Sequence, residues 1–247
     1  MARGHALLTG ALGGLGTAMT VAISEAGIPI IAADRRAEDF EPWRAELPPV
    51  ARDNVSFFPL DVTKEEAVTE LAAALKSRDI KISYLVNNAG IQGAAKPWEM
   101  DTKTWQRVMR VNIDGTFYLT RAFSEAMVKD GFGRIVNLAS MYAYTPGRGQ
   151  GPYAAGKAAI TGYTRSTALD LAAHGVTVNA IAPGFIWHQR LAEVFPGNAE
   201  PTFDEVPMKR SGKPEEIAAT VAFLLSEGAG YITGQTIHVN GGLYLPG

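Results

Sequence analysis

The chain has 247 residues, of which 47% are hydrophobic and 19% charged, and its net charge is −2. That balance excludes both the basic excess of a nucleic-acid binder and the charge-rich composition of a disordered chain, and the length suits one α/β domain with ample core. No cysteine is present, which excludes disulfides, thiolate catalysis and sulfur-ligated metal sites.

Met1 to Gly10 is too short on apolar residues for a signal peptide, and no uninterrupted apolar run approaches the length of a membrane span. The expectation is a soluble cytoplasmic protein with neither nucleic acid nor membrane as partner. His5 to Leu8 is a short apolar run ending at Thr9-Gly10-Ala11-Leu12-Gly13-Gly14-Leu15-Gly16, after which Leu15 to Ala26 has helical character and stops at Gly27, a natural C-cap. The pattern reads strand, glycine turn, helix. Glycines at 10, 14 and 16 let the backbone turn sharply and approach a pyrophosphate, whose charge the helix N-terminus stabilises. Such a glycine triplet arises about 0.3 times by chance in a chain of this composition, so its strand and helix context carries the reading.

Pro29 to Ala33 is the next apolar run and ends at Asp34. A carboxylate at the tip of the second strand accepts hydrogen bonds from the adenosine ribose hydroxyls of NAD and repels the 2′-phosphate of NADP. Arg35 and Arg36 pull the other way, since a guanidinium can hold that phosphate. The strand-end position of Asp34, with no basic side chain at Gly13, favours NAD over NADP.

Arg36 to Asn54 is weakly patterned and reads as a surface helix and loop. Val55 to Leu60 is a third strand ending in Asp61-Val62, and Lys64 to Lys76 an amphipathic helix. Ile82 to Val86 is a fourth strand closing on Asn87-Asn88-Ala89-Gly90. The amides can lock strand ends, while the small Ala-Gly pair leaves room for a ligand against the backbone. Thr102 to Lys129 is a long helical stretch with Asn112 inside it, where asparagine is mildly unfavourable and either exposed or using its polarity locally. Arg134 to Leu138 is a fifth strand delivering Ser140, Tyr153 to Ala173 a helix, and Val176 to Ile181 a sixth strand stopped by Pro183-Gly184. From about 185 to 210 patterning disappears, as in a lid or binding loop. Pro214 to Leu225 returns to helix and Thr236 to Val239 is a last strand. Helices alternate with short continuous apolar strands, so the expected fold is α/β, one doubly wound domain over residues 1–247 with helices on both faces of a parallel sheet.

The chemistry-bearing stretch is Ser140 to Lys157, where Tyr153 and Lys157 stand four apart at a helix start and so share one face. A charged Lys157 nearby favours the phenolate, lowering the tyrosine pKa from its reference of about 10 towards the range of a working general base. A Tyr-x-x-x-Lys match arises about 0.3 times by chance in such a chain, so it gains meaning only with the rest of a site.

Taken together, T-G-x-x-x-G-x-G at Thr9 to Gly16, Asp34, Asp61-Val62, N-N-A-G at Asn87 to Gly90, Asn112, Ser140, Y-x-x-x-K at Tyr153 to Lys157, Pro183-Gly184 and Y-I-T-G-Q near the end resemble the short-chain dehydrogenase/reductase family, in the branch with an Asn-Ser-Tyr-Lys tetrad, over nearly the whole chain. The resemblance implies a Rossmann-type parallel sheet of about seven strands and a homotetramer or homodimer, with the tetramer expected. It implies that Tyr153 is the acid/base and that Ser140 holds the substrate oxygen. It also implies that Lys157 lowers the tyrosine pKa and binds the nicotinamide ribose, and that Asn112 orders a water joining Lys157 to solvent. The cofactor contacts it implies are Gly10, Leu12, Gly14, Leu15, Gly16, Asp34, Asp61, Val62, Asn88, Ala89, Gly90, Tyr153, Lys157, Pro183, Gly184, Ile186 and His188. Two positions depart from the family pattern. His188 stands where threonine is usual, and either donates to the nicotinamide carboxamide, faces the substrate, or is a loop histidine; Gly156 replaces a serine.

Substrate contacts are expected from Gln92, Ser140, Tyr142, Gln150, Tyr153 and Trp187, with Met141, Tyr144, Arg148, Arg190 and Phe195 as further pocket candidates. Arg148 and Arg190 equally fit solvated loop charges. Aromatic rings with polar groups suit a polyol, a sugar or a ring-containing alcohol. His5, His174 and His238 form no metal-ligand spacing, so no catalytic metal is expected. The leading reading is an NAD-dependent dehydrogenase acting on a secondary alcohol or its ketone. The alternative is an NADPH-dependent 3-oxoacyl thioester reductase, and a third is a cofactor-binding protein without catalysis.

Overall fold

Seven apolar runs become strands: β1 His5–Thr9, β2 Ile30–Asp34, β3 Val55–Pro59, β4 Ile82–Asn87, β5 Gly133–Leu138, β6 Val176–Pro183 and β7 Thr236–Val239. The computed structural model describes residues 3–188 and 203–246. All strand pairs are parallel, in the order β3-β2-β1-β4-β5-β6-β7. Burial follows position. The inner strands β4, β5 and β6 are buried at every residue, as a sheet covered on both faces requires, whereas β3 and β7 at the edges are only partly buried.

Eight α-helices among the described residues connect them: α1 Gly14–Glu25, α2 Phe40–Glu46, α3 Pro49–Arg52, α4 Glu65–Ser77, α5 Thr102–Met109, α6 Gly115–Asp130, α7 Gly151–Leu171 and α8 Pro214–Leu225. The two-residue alternation of the strands sorts their side chains onto two cores. Ala6, Leu8, Ile30, Ala32 and Val86 meet Met19 and Ile23 of α1 and Ile217, Val221 and Leu224 of α8. Leu7, Ile31, Leu85, Ile135 and Val178 meet Val68 and Leu71 of α4 and Leu119, Phe123 and Met127 of α6. Each fully buried Leu or Ile contributes about 1.5–3 kcal/mol of transfer free energy, so both faces must be closed for the strands to stay paired. The result is a Rossmann-like sheet in a single domain. No helix among the described residues is long and apolar enough to cross a membrane.

Two local readings change. The stretch 36–54 is more than a surface helix: it folds as α2 and α3, and Phe40, Leu47 and Ala51 are buried against the first core. The long helix expected from Thr102 to Lys129 is interrupted by a π-helical turn at Arg110–Asp114. The Asn112 side chain explains the interruption, because its Nδ2 donates to the Val108 carbonyl at 2.9 Å, the group an α-turn would give to the Asn112 backbone N–H.

Strand order reverses between β1 and β4, and in such sheets the crevice beyond the carboxyl ends at the reversal is where a ligand fits. The glycine turn follows β1, Asn88 to Gly90 follow β4, Ser140 follows β5 and Gly184 follows β6, so the sheet collects these four along its carboxyl edge.

Candidate active site

The glycine turn is built for three different reasons. Gly10 has φ +63°, a left-handed conformation that glycine alone adopts without strain. A Cβ on Gly16 would lie 2.3 Å from the Gly10 carbonyl oxygen, and one on Gly14 would lie 2.8 Å from the ring of His188. Leu15 is half-buried behind the turn, on the first core. Thr9 then ties the turn across the reversal: its hydroxyl accepts from the backbone N–H of Asn88 and of Ala89, both at 3.1 Å. Asn88 answers by donating Nδ2 to the carbonyls of Thr9 and Gly10 at 3.0 and 3.1 Å. Asn87 has a different task, donating to Asn137 at 2.8 Å in a buried ladder that continues to Thr164 of α7.

Two of the four residues expected to form a tetrad, Asn112 and Lys157, meet beside Gly90. A Cβ there would stand 2.9 Å from Asn112 Oδ1 and 3.2 Å from Lys157 Nζ, so bare backbone is required between them. The π turn aims Asn112 inward; its Nδ2 is also held by the Ile91 carbonyl at 2.8 Å, while its buried Oδ1 has no partner. Lys157 is buried and donates to the Leu138 carbonyl at 2.6 Å, with Nζ 5.7 Å from the centre of the Tyr153 ring. Ser140 is buried at the end of β5, accepts from the Tyr142 backbone N–H at 3.2 Å, and hydrogen-bonds to Tyr153.

The electrostatics differ from the simple expectation that Lys157 lowers the tyrosine pKa. Burial pushes Tyr153 above the ordinary phenol value; the Ser140 hydrogen bond pulls it back and the Tyr142 phenol pushes it further up. Burial also takes Lys157 down to about 8. With the ammonium on a backbone carbonyl and against the ring rather than on the phenol oxygen, desolvation is the largest influence on both groups and shifts each toward its neutral form.

At the end of β2 the Asp34 carboxylate is bonded by Arg36, whose Nε reaches Oδ1 at 3.1 Å and whose NH2 reaches Oδ2 at 3.3 Å. Burial alone would raise the Asp34 pKa, but the side-chain and backbone bonds from Arg36, its charge, and the backbone N–H of Leu12 hold it below the usual carboxylate value. Asp61 accepts from the backbone and hydroxyl of Thr63 at 3.0 and 2.7 Å, and Val62 puts its side chain into the second core against Gly115.

Of the substrate-side residues, Tyr142 stands edge-on to Tyr153, ring centres 6.0 Å apart. Gln150 begins α7 with a buried Oε1 that has no hydrogen-bond partner, while Gln92 is exposed. Tyr144 serves the fold: it packs against the small cluster of Ala139, Ile160, Ala180 and Ala182 and stacks on Tyr244, with His238 4.8 Å away. Past Pro183, Gly184 N–H donates to the Val239 carbonyl, and Ile186 is buried and bridges to Gly212. Trp187 N–H donates to the Gly212 carbonyl at 3.0 Å. His188 lies against the glycine turn, its ring 2.8 Å from where a Cβ on Gly14 would stand. Arg190, Phe195 and the middle of the loop lie outside the described residues. Two cavities are lined by residues other than Asn112, Ser140, Tyr153 and Lys157: about 680 Å³ between Ile186, Met208, His238 and Tyr244, and about 590 Å³ between Met100, Trp105 and Pro152.

Three groups escaped the sequence reading. The Thr9 hydroxyl had a signal, a hydroxyl residue directly before the turn; the Leu138 carbonyl had none, being backbone; and the Arg36 clamp depends on side-chain direction.

A family profile described as enoyl-(acyl carrier protein) reductase matches residues 10–244. A 3-oxoacyl-[acyl-carrier-protein] reductase of Buchnera aphidicola is 36% identical over 240 residues, covering 97% of both chains. Nodulation protein G of Azospirillum brasilense is 38% identical over 245 residues, covering 98% of this chain and 99% of the relative. A crystal structure of an Agrobacterium tumefaciens protein described as a candidate gluconate dehydrogenase superposes with a TM-score of 0.90 at 32% identity, over 98% of this chain and 96% of that one. Matching over nearly its full length, with a seven-stranded parallel sheet that brings the glycine turn and the Ser140, Tyr153 and Lys157 set to one edge, the chain belongs to the short-chain dehydrogenase/reductase family of oxidoreductases.

Proposed function

We propose that this chain moves hydride between NAD(H), in preference to NADP(H), and a secondary alcohol or its ketone, with Tyr153 as the acid/base. The observation that carries the reading is the placing of Lys157 and Asn112 at Gly90, with the Tyr153 ring against Lys157 and Ser140 on Tyr153, next to a glycine turn that leaves backbone bare. The site fits a dinucleotide. Gly10, Leu12, Gly14, Leu15 and Gly16 line the start of α1, where an anionic diphosphate is stabilised. Asp34 stands at the ribose position with Asp61 and Val62 beyond it; Asn88 to Gly90, Pro183, Gly184, Ile186 and His188 surround the nicotinamide end, and residues 185–210 serve as the substrate loop.

In oxidation, Ser140 holds the alcohol oxygen and the Tyr153 phenolate takes its proton; in reduction Tyr153 returns it. When bound, the nicotinamide accepts or donates the hydride. The cationic oxidised ring and a charged Lys157 both favour the phenolate, which offsets the desolvation that holds Tyr153 neutral without them. The unused Asn112 Oδ1 is an acceptor for a water that connects Lys157 to solvent.

For the substrate, Tyr142 and the unpaired Gln150 oxygen suit a hydroxylated compound such as a polyol or sugar acid, and the structural neighbour described as a gluconate dehydrogenase supports that class. A second reading, an NADPH-dependent 3-oxoacyl thioester reductase, is favoured by the relatives named for that reaction. A turnover screen of secondary alcohols, polyols, sugar acids and 3-oxoacyl thioesters with both cofactors separates them. Faster turnover of thioesters with NADPH would replace the first reading by the second, and no turnover of any pair would leave only a non-catalytic binder.

We also propose a homotetramer. Trp105 of α5, Phe117 of α6, Leu169 of α7 (83% exposed) and Tyr231 just before the edge strand β7 are exposed apolar or aromatic side chains available for subunit contacts. Light scattering at micromolar concentration is expected to give four times the chain mass of 26.4 kDa; a monomer would end the assignment.

A further inference from the structure

Asn112 is closed in by backbone that carries no side chain. On one side is Gly90, which leaves room beside Oδ1; on the other is Gly156 of α7, buried and next to Lys157 in the chain. A Cβ on Gly156 would lie 3.2 Å from Asn112 Cβ and 3.9 Å from Asn112 Cγ. Carbon atoms pack at about 3.5–4.0 Å, so a side chain there fits only if the π turn or α7 moves back. A change of rotamer cannot supply the space. The atom met first is Cβ, fixed to the backbone, and Nδ2 is held at two carbonyls, Ile91 at 2.8 Å and Val108 at 2.9 Å. Just past the turn, a Cβ on Gly115 would stand 2.9 Å from Val62, so the turn is also confined from the second core.

Glycine inside a helix is less favourable than alanine, because it loses more backbone freedom on folding. α7 carries two glycines in its interior, Gly156 and Gly162. Crowding accounts for the first only, since nothing lies within 4 Å of a Cβ on Gly162. We propose that Gly156 is a positioning residue for the reaction: its missing side chain lets the π turn approach α7 until Asn112 stands beside Lys157. The atom placed in this way is Oδ1, buried and without a hydrogen-bond partner among the described residues, so its position follows from the packing around the side chain and the two bonds of Nδ2. The inference rests on the reading that Tyr153 and Lys157 serve proton transfer. Moving Oδ1 away from Lys157 alters that transfer and leaves the substrate and cofactor contacts in place, so the loss falls on kcat rather than on KM.

Gly156→Ala, Asn112→Ala and the two combined test it in the full chain, with Gly162→Ala as the control for helix propensity. Gly162→Ala is expected to raise Tm by about 2–4 °C, the gain of an uncrowded helical alanine in a chain of this size, with unchanged rates. Gly156→Ala is expected to show none of that gain. Rates are read with gluconate and NAD and with acetoacetyl-coenzyme A and NADPH, keeping whichever pair the wild type turns over faster. On that pair Gly156→Ala is expected to lower kcat about tenfold, with KM and the cofactor Kd within about threefold. In the Asn112→Ala background the same substitution is expected to change kcat by less than about twofold, because the group it displaces is gone. A Tm gain in Gly156→Ala equal to that of Gly162→Ala, a kcat near wild type, or an equal kcat loss with and without Asn112 would each overturn the proposal. A wild type that turns over neither pair nor any other in the screen ends the proposed reaction and the positioning role with it; an active wild type whose Gly156→Ala variant keeps its rate ends the positioning role alone.

Discussion

Tyr153→Phe is expected to lower kcat by about 10²–10⁴-fold, the usual contribution of a positioned acid/base, while the NADH Kd stays within about threefold. The substitution removes one oxygen and keeps the ring that stands edge-on to Tyr142, so the packing of α7 against the 3₁₀ turn after Ser140 is retained. What is lost is the phenol oxygen, whose hydrogen bond with Ser140 pulls the Tyr153 pKa down. Turnover rates and NADH titration on the same preparation check it; a variant within tenfold of wild type would remove Tyr153 from the chemistry.

Lys157→Met has two separable consequences. The first is kinetic: without the ammonium near the ring, the phenolate loses a stabilising charge, so the rising limb of kcat/KM against pH for alcohol oxidation is expected to move up by a unit or more, with a large loss of rate at neutral pH. The second concerns stability. Lys157 falls from its ordinary 10.5 to about 8 in the fold, so between those values the unfolded chain binds a proton that the folded chain has released. Stability linked to this residue therefore rises as pH increases from about 8 to 10.5, and below about 8 the cost of burying the charge is present in full. Thermal unfolding across that window is expected to show an upward slope in wild type that is flattened in Lys157→Met. An identical slope in both would mean that Lys157 titrates near its ordinary value.

The strands and most helices are legible in the chain because their causes are local. Val176 to Ile181, apolar but for Thr177 and Asn179, is a short run that fits a strand covered on both faces, and Pro214 and Gly27 mark a helix start and a helix end by their own backbone preferences. The order of motifs along the chain likewise names Ser140, Tyr153, Lys157 and Asn112, since a parallel sheet puts every strand's carboxyl end on one edge.

The sequence by itself determined the sheet class and the glycine turn and named the side chains proposed to react, because periodicity, backbone freedom and motif spacing are properties of neighbouring residues. Only the tertiary structure decided how those side chains are held. The π turn that aims Asn112, the Leu138 carbonyl under Lys157, the ring of His188 on Gly14 and the guanidinium clamped on Asp34 all depend on where side chains and backbone meet in three dimensions. The Tyr153 and Lys157 shifts belong there too: a spacing of four brings the pair together, but the burial that shifts each toward its neutral form exists only once the sheet, α6 and α7 have closed around them.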